Sequence, residues 1–521
     1  DTLQQRAAEV RGWGAALAPG ADLLLYGCDL AANASGRQLV DELAQLSGAD
    51  VAASRDATGA GGNLSLEYAS GRVEAGLLAS ASAWAELGTT LELLMNQRQG
   101  SPVFAAGSGS MIPNPKAFAV LSANGTITAW GDAASGGTGA PTSSGYTAIF
   151  SNSRGFAALK NDGTVISWGG TSAGDGILPA IAGFVDIAST TTAFSALTVD
   201  GRIRSWGDTT TGGKDYPATT GWKALYSNQT AFAAINYQGS ILTWGNSLAG
   251  GYVAPGGTLP ATYTATPLST ELGYVSIAST NTAFAALKFD GSIRTWGENA
   301  AGGSGAPTGT GFTKIASNQK AFAALKADGS ITVWGDASGG GSTTTSTGIV
   351  GAPAATVTGF TSIYSSGNAF AALKADGSIT TWGNSANGGA NGPSGNGYKA
   401  IAATNQAFAA LKADGSIVAW GNTGFGAAGA PNDNGYTSLF ASAGAFAALK
   451  SNGSIKAWGS STYGGSGAPS ATSDTGYTRI FSTGSAFAAE KADGSITAWG
   501  NSTSGGKGAP TGTGWQPIQS A

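Results

Sequence analysis

Residues 311–335 read Gly311-Phe-Thr-Lys-Ile315-Ala-Ser-Asn-Gln-Lys320-Ala-Phe-Ala-Ala-Leu325-Lys-Ala-Asp-Gly-Ser330-Ile-Thr-Val-Trp-Gly335, with two apolar runs on either side of Asp328-Gly329. The closing Trp-Gly pair recurs at Trp130, Trp168, Trp206, Trp244, Trp296, Trp334, Trp382, Trp420, Trp458 and Trp499, at intervals of 38, 38, 38, 52, 38, 48, 38, 38 and 41 residues. Twelve residues before each stands a phenylalanine: Phe118, Phe156, Phe194, Phe232, Phe284, Phe322, Phe370, Phe408, Phe446 and Phe487. A fixed period of this kind is the mark of a repeat architecture, and here the unit is copied ten times with two long insertions.

Each unit translates into strands. Asp-Gly or Asn-Gly between two apolar runs is a hairpin signal, because both residues tolerate a positive φ. Every unit has such a pair except the fourth, where Gln238-Gly239 takes its place. The segment Gly-aromatic-x-x-Ile supplies a third strand, and the Gly-rich link Gly302–Pro307 is a turn leading to the next unit. A sheet of three strands, or four, cannot bury both faces alone, so consecutive units must stack. The Phe and Trp ladder is expected to be core, with a sugar-binding aromatic platform as the alternative. Small residues beside Phe, such as Ala321, Ala323 and Ala324, allow close approach.

The pattern Ala-Leu-Lys-x-Asp-Gly-x-Ile-x-x-Trp-Gly-Asn resembles the repeat of the regulator of chromosome condensation propellers, and in its short form the bacterial propeller that inhibits β-lactamases. The resemblance covers roughly residues 105–521. It implies a mainly β fold, a ten-repeat β-propeller-like array, with exchange-factor, inhibitor and adhesin roles all open. Family members often close with seven blades. Ten copies therefore leave one large ring, two smaller groups or an open superhelical stack.

The ends bear on closure. The chain runs through Gly514-Trp515-Gln516-Pro517-Ile518, the first strand of an eleventh unit without its hairpin. The first unit has Ser108 and Met111 where its siblings carry an aromatic and Ile. The terminal strand, with Trp515 and Ile518, is expected either to complete the first repeat or to pair with the next molecule.

Residues 1–85 read as a small α/β segment: helical spacing at Leu3, Ala7, Val10 and Leu17, strands at 21–27 and 49–53, a helix over 35–47, and a hairpin at 64–68 and 72–75. The stretch Leu24-Leu-Tyr-Gly-Cys-Asp-Leu-Ala-Ala32, with 46–54 and 61–67, resembles the later half of a caspase-like domain at the start of large bacterial surface adhesins. That resemblance places Cys28 at the nucleophile position. A thiolate needs a partner to lower its pKa, and the chain has no His, so Cys28 is expected to be a buried thiol or a vestige. The missing upstream half leaves a sheet edge for another subunit, or for that half itself. Residues 86–107 read as a linker and 108–521 as the array. The chain begins at Asp1, directly before a helical pattern, and is expected to be processed or partial.

Composition narrows function. The 521 residues include 84 Gly, 14 Trp, one Cys and no His, with 26 basic and 30 acidic side chains, and only 11% are charged. Histidine-based catalysis and zinc sites are excluded, as is an intramolecular disulfide. The acidic groups concentrate in residues 1–100, with 12 against 6 basic. No basic face for nucleic acid is present, and no apolar run is long enough for a membrane span. No cofactor or metal is expected. The composition and both resemblances point to an extracellular or cell-surface structural or adhesive protein, self-assembling through strand edges at the N-terminal half domain and the terminal strand. Its expected partner is itself, with surface glycans or other surface proteins besides. Binding is expected in the insertions Ser247–Leu272 and Ser338–Thr358 or the loop Asn422–Pro431. The alternative is a monomeric, inhibitor-like propeller; an enzyme is not expected.

Overall fold

The computed structural model describes residues 22–25, 34–47, 50–53, 68–70, 113–122, 124–170, 183–251, 263–264, 271–513 and 515. Two compact units are separated, Asp1–Met95 and Asn96–Ala521. Residues 86–107, Cys28, Ile518, Ser108, Met111 and the strand expected at 72–75 lie outside the described residues. No described helix is long and apolar enough to cross a membrane.

In the first unit, β1 (Asp22–Leu25) runs parallel to β2 (Asp50–Ala53), and α1 (Ala34–Ser47) lies between them in sequence. β3 (Tyr68–Ser70) pairs antiparallel with β2, giving the order β1-β2-β3. Val40 of α1 and Val51 of β2 are fully buried, the core of a βαβ turn.

The second unit is the array: repeated antiparallel sheets in which the middle strand is the apolar run. In the sixth repeat Phe312–Ser317 pairs with Ala321–Lys326, which pairs with Ile331–Gly335. Residues on the middle strand alternate between two neighbours, as strand geometry demands. Phe322 and Ala324 pack towards the fifth repeat, against Ala283, Ala285 and Leu287. Ala321, Ala323 and Leu325 pack towards the seventh, against Phe370 and Trp382. Both faces are thus buried, and alanines on one sheet receive the ring stack of the next. Phe and Trp of each repeat stack across the pair, with centroids 5.1 to 5.4 Å apart in all ten. Burying such a side chain contributes about 1.5–3 kcal/mol.

The glycine-rich link does more than turn. After Trp-Gly comes a single 3-10 turn, capped in six repeats by the side chain of Asp208, Asn246, Asp336, Asn384, Asn422 or Asn501. It ends on a left-handed glycine such as Gly302, φ 93°, whose added Cβ would stand 2.6 Å from Phe322 of the next repeat. Eight of the ten tryptophans donate their indole N–H to this glycine's carbonyl, at 3.0 to 3.2 Å. Trp244 donates to Ser205 Oγ instead.

The array closes on itself. Trp130 of the first repeat donates to Gly505 O beyond the tenth, and Phe118, Val120 and Trp130 share a core with Phe481, Ala486, Ala488 and Ile496. Trp515 bridges Ser122, the register that Phe312 takes with Lys326. Trp515 therefore fills the aromatic slot of the first repeat within the same chain. Of the two alternatives for this segment, completing the first repeat is the one Trp515 takes; among the described residues the first repeat has two strands of its own, Ala117–Leu121 and Ile127–Gly131.

The hairpin differs from expectation in its turn. Gly329 has φ 77°, Asp328 is not left-handed, Gly329 N–H bonds Lys326 O, and Lys326 N–H bonds Ser330 O. This is a three-residue loop with glycine alone in the left-handed region. Asp328 serves instead as an acceptor for the Ser330 N–H at 2.8 Å. In nine repeats the first strand carries a bulge after its aromatic residue. Thr313 occupies one such bulge, and its hydroxyl donates to Leu325 O at 3.1 Å.

Candidate interaction surface

Phe118, Phe156, Phe322, Phe408 and Phe487 are buried, and so are Trp130, Trp168, Trp334, Trp420 and Trp499. They stack on one another inside the array and offer no ring to a sugar. Insertions are absorbed into sheets where they are described: Tyr263–Thr264 pairs with Ile293–Glu298, and Ile349–Val350 with Ile379–Asn384, each adding a fourth strand. Such added strands cover sheet edges.

What varies between repeats is the residue just before Asp-Gly at the hairpin tip. It is Asn161, Val199, Tyr237, Phe289, Ala327, Ala375, Ala413, Ser451 and Ala492 in repeats two to ten. Phe289 is 90% exposed, Val199 68% and Tyr237 55%. Val185, Leu272 and Val275, one or two residues from the tips' backbone partners, are exposed too. Large exposed apolar side chains thus collect on three consecutive repeats.

Hydrogen bonds make those tips neighbours. Val199 N–H bonds Gly183 O, and Tyr237 N–H bonds Gly221 O beside Trp222, whose N–H bonds Gly201 O in the preceding tip. Gly273 N–H bonds Gln238 O, and Gly273 O accepts from Phe289 N–H. The three tips therefore stand in a row on one rim, each held by main-chain bonds.

Some of the charges around the row are paired internally, whereas Lys223, at the strand position of Val185 and Val275, and Asp290, beside Phe289, are exposed outside these pairs. Arg202 bridges Asp200 at 3.0 Å, and Glu271 takes Lys288 at 3.7 Å, Arg294 at 3.3 Å and the Tyr274 hydroxyl at 2.7 Å. Lys288 also lies 4.9 Å above the Tyr274 ring. Away from the row, burial raises the Asp186 carboxyl, and burial with the charge of Asp186 pushes Tyr226 up to about 12. Among the described residues no group of three His, Cys, Asp or Glu could hold a metal. The surface is built for apolar contact. Sequence reading missed it by treating the repeats as uniform; comparing the residue before Asp-Gly across repeats finds it.

Fold and surface together define a propeller-like tandem-repeat protein. Residues 1–91 match the family described as "Domain of unknown function (DUF4347)". No curated protein matches the chain. Among solved structures the chain is similar to the ectodomain of the Physcomitrella patens receptor kinase CR4, at 18% identity over 51% of this chain and 70% of that one, TM-score 0.32. It is also similar to yeast RCC1 (Prp20), solved with Kap60 bound, at 15% identity over 65% and 84%, TM-score 0.33. A third is the computationally designed Ika8 protein, at 13% identity over 74% and 99%, TM-score 0.32.

Proposed function

We propose that this chain is a non-enzymatic structural or adhesive protein of the cell surface or extracellular space that binds other protein surfaces, copies of itself first among them. The observation that carries this reading is the apolar rim of Val199, Tyr237 and Phe289 on an array whose other described tips are Ala, Ser or Asn. Exposed large apolar side chains gathered in this way mark interaction sites. The low charge, the Ser, Thr and Gly-rich loops and the adhesin-like N-terminal segment favour an extracellular setting. Self-assembly by the terminal strand loses its support, because Trp515 is engaged within the chain; the N-terminal sheet and the rim remain.

A second reading, a propeller that docks one different protein in the manner of an inhibitor, is favoured by the confinement of the rim to three repeats. Sedimentation velocity of the full chain, from low to high micromolar concentration, separates the two. Concentration-dependent association supports the first reading. A monomer throughout, which captures a single surface protein through the rim, supports the second.

A further inference from the structure

We infer that two copies of this chain meet rim to rim in a two-fold contact centred on Tyr237. This rests on the self-association reading above and names the surface that performs it.

A row of three is well suited to such a contact. In a two-fold interface residue i touches j and j touches i, so an axis through the middle of the row sets Tyr237 against its counterpart. It sets Phe289, the largest and most exposed tip, against the smaller Val199 of the second copy, and Val199 against the second copy's Phe289. The same operation brings Leu272 and Val275 at one end opposite Val185 at the other. Large meets small at both ends.

Area points to a second copy as the occupant. The six exposed side chains offer on the order of 700 Å², taking about 150–250 Å² for a fully exposed aromatic. That approaches the ~800 Å² that each partner buries in a standard interface. The ion pairs of Asp200 with Arg202 and of Glu271 with Lys288 and Arg294 are already satisfied within the chain. Lys223 and Asp290 lie outside those pairs. A second copy brings the same apolar row and the same balanced ends.

The test is a charge exchange on the full chain. Tyr237→Arg and Tyr237→Glu are made separately and then mixed, with circular dichroism confirming that both fold; the position is an exposed tip, so folding should be unchanged. Wild type should associate, each variant alone should associate more than about tenfold more weakly because like charges meet at the axis, and the mixture should regain association. If both variants associate as wild type does, assembly uses another surface: this inference fails and the self-association reading stands. If each variant loses association and the mixture does not regain it, the two-fold pairing of Tyr237 is overturned. If wild type is monomeric at all concentrations, the inference and the reading beneath it fail together.

Discussion

Trp130 Nε1 donates a hydrogen bond to the carbonyl of Gly505, 3.0 Å away and 375 residues later in the chain. The bond is the one Trp168 makes with Gly136 and Trp334 with Gly302, so the seam between last and first repeats is built like an ordinary interface between neighbours. It differs in lacking a direct covalent link, since there the array of repeats begins and ends. Closure therefore rests on packing, on this bond and on Trp515.

Trp130→Phe keeps the ring stack with Phe118 but leaves Gly505 O without its donor, at a cost of about 1–2 kcal/mol. The loss should be felt mainly at the seam. Amide exchange in Ala117–Leu121 should quicken more than exchange in Ala321–Lys326 does in Trp334→Phe. Equal responses in the two variants would contradict a seam weaker than its siblings.

Gly505→Ala tests the close approach. An added Cβ would lie 2.5 Å from Phe118 Cδ2, at φ 88°. Overpacking of this kind costs about 1–3 kcal/mol, and left-handed backbone adds to it. The Tm should fall by several degrees, whereas Gly221→Ala, left-handed but with open space around it, should cost less. A Tm unchanged in Gly505→Ala would refute the packing role.

Acid should weaken the hairpins. Asp290, Asp328, Asp376, Asp414 and Asp493 are held below the ordinary carboxylate range, first by the backbone N–H of the serine two residues on and then by its hydroxyl. Their folded pKa lies below the unfolded value, so the contribution is present above about pH 4 and is lost as pH falls through the folded pKa. Thermal unfolding followed against pH should show a Tm nearly flat from about pH 7 to 5 and falling below about 4. A flat Tm at strongly acid pH would count against these acceptors.

Much of the array was legible because its physics is periodic. Alternation about Phe322 and the invariant spacing to Trp334 announce a two-faced buried strand, and small alanines announce close sheets. The lysine of Ala-Leu-Lys was not legible: Lys326 lies 4.9 Å above the Phe312 ring, a pairing set by register across the strands rather than by neighbours in sequence. The role of Gly302 was read as a turn, because its contact with Phe322 belongs to the next repeat. Closure could not be read from a repeat count, since the small rotation between sheets is not written in any one unit; it rests on Gly505 meeting Phe118. The rim was present in plain letters at Val199, Tyr237 and Phe289, but only a reading that sets each repeat against its siblings separates variation from noise.

Electron microscopy of the full chain shows whether the ten repeats close into one ring. Class averages should show a closed ring with ten radial units and no gap between the last and the first. An open arc, or a superhelical filament that continues from the tenth repeat of one molecule to the first of another, would contradict it.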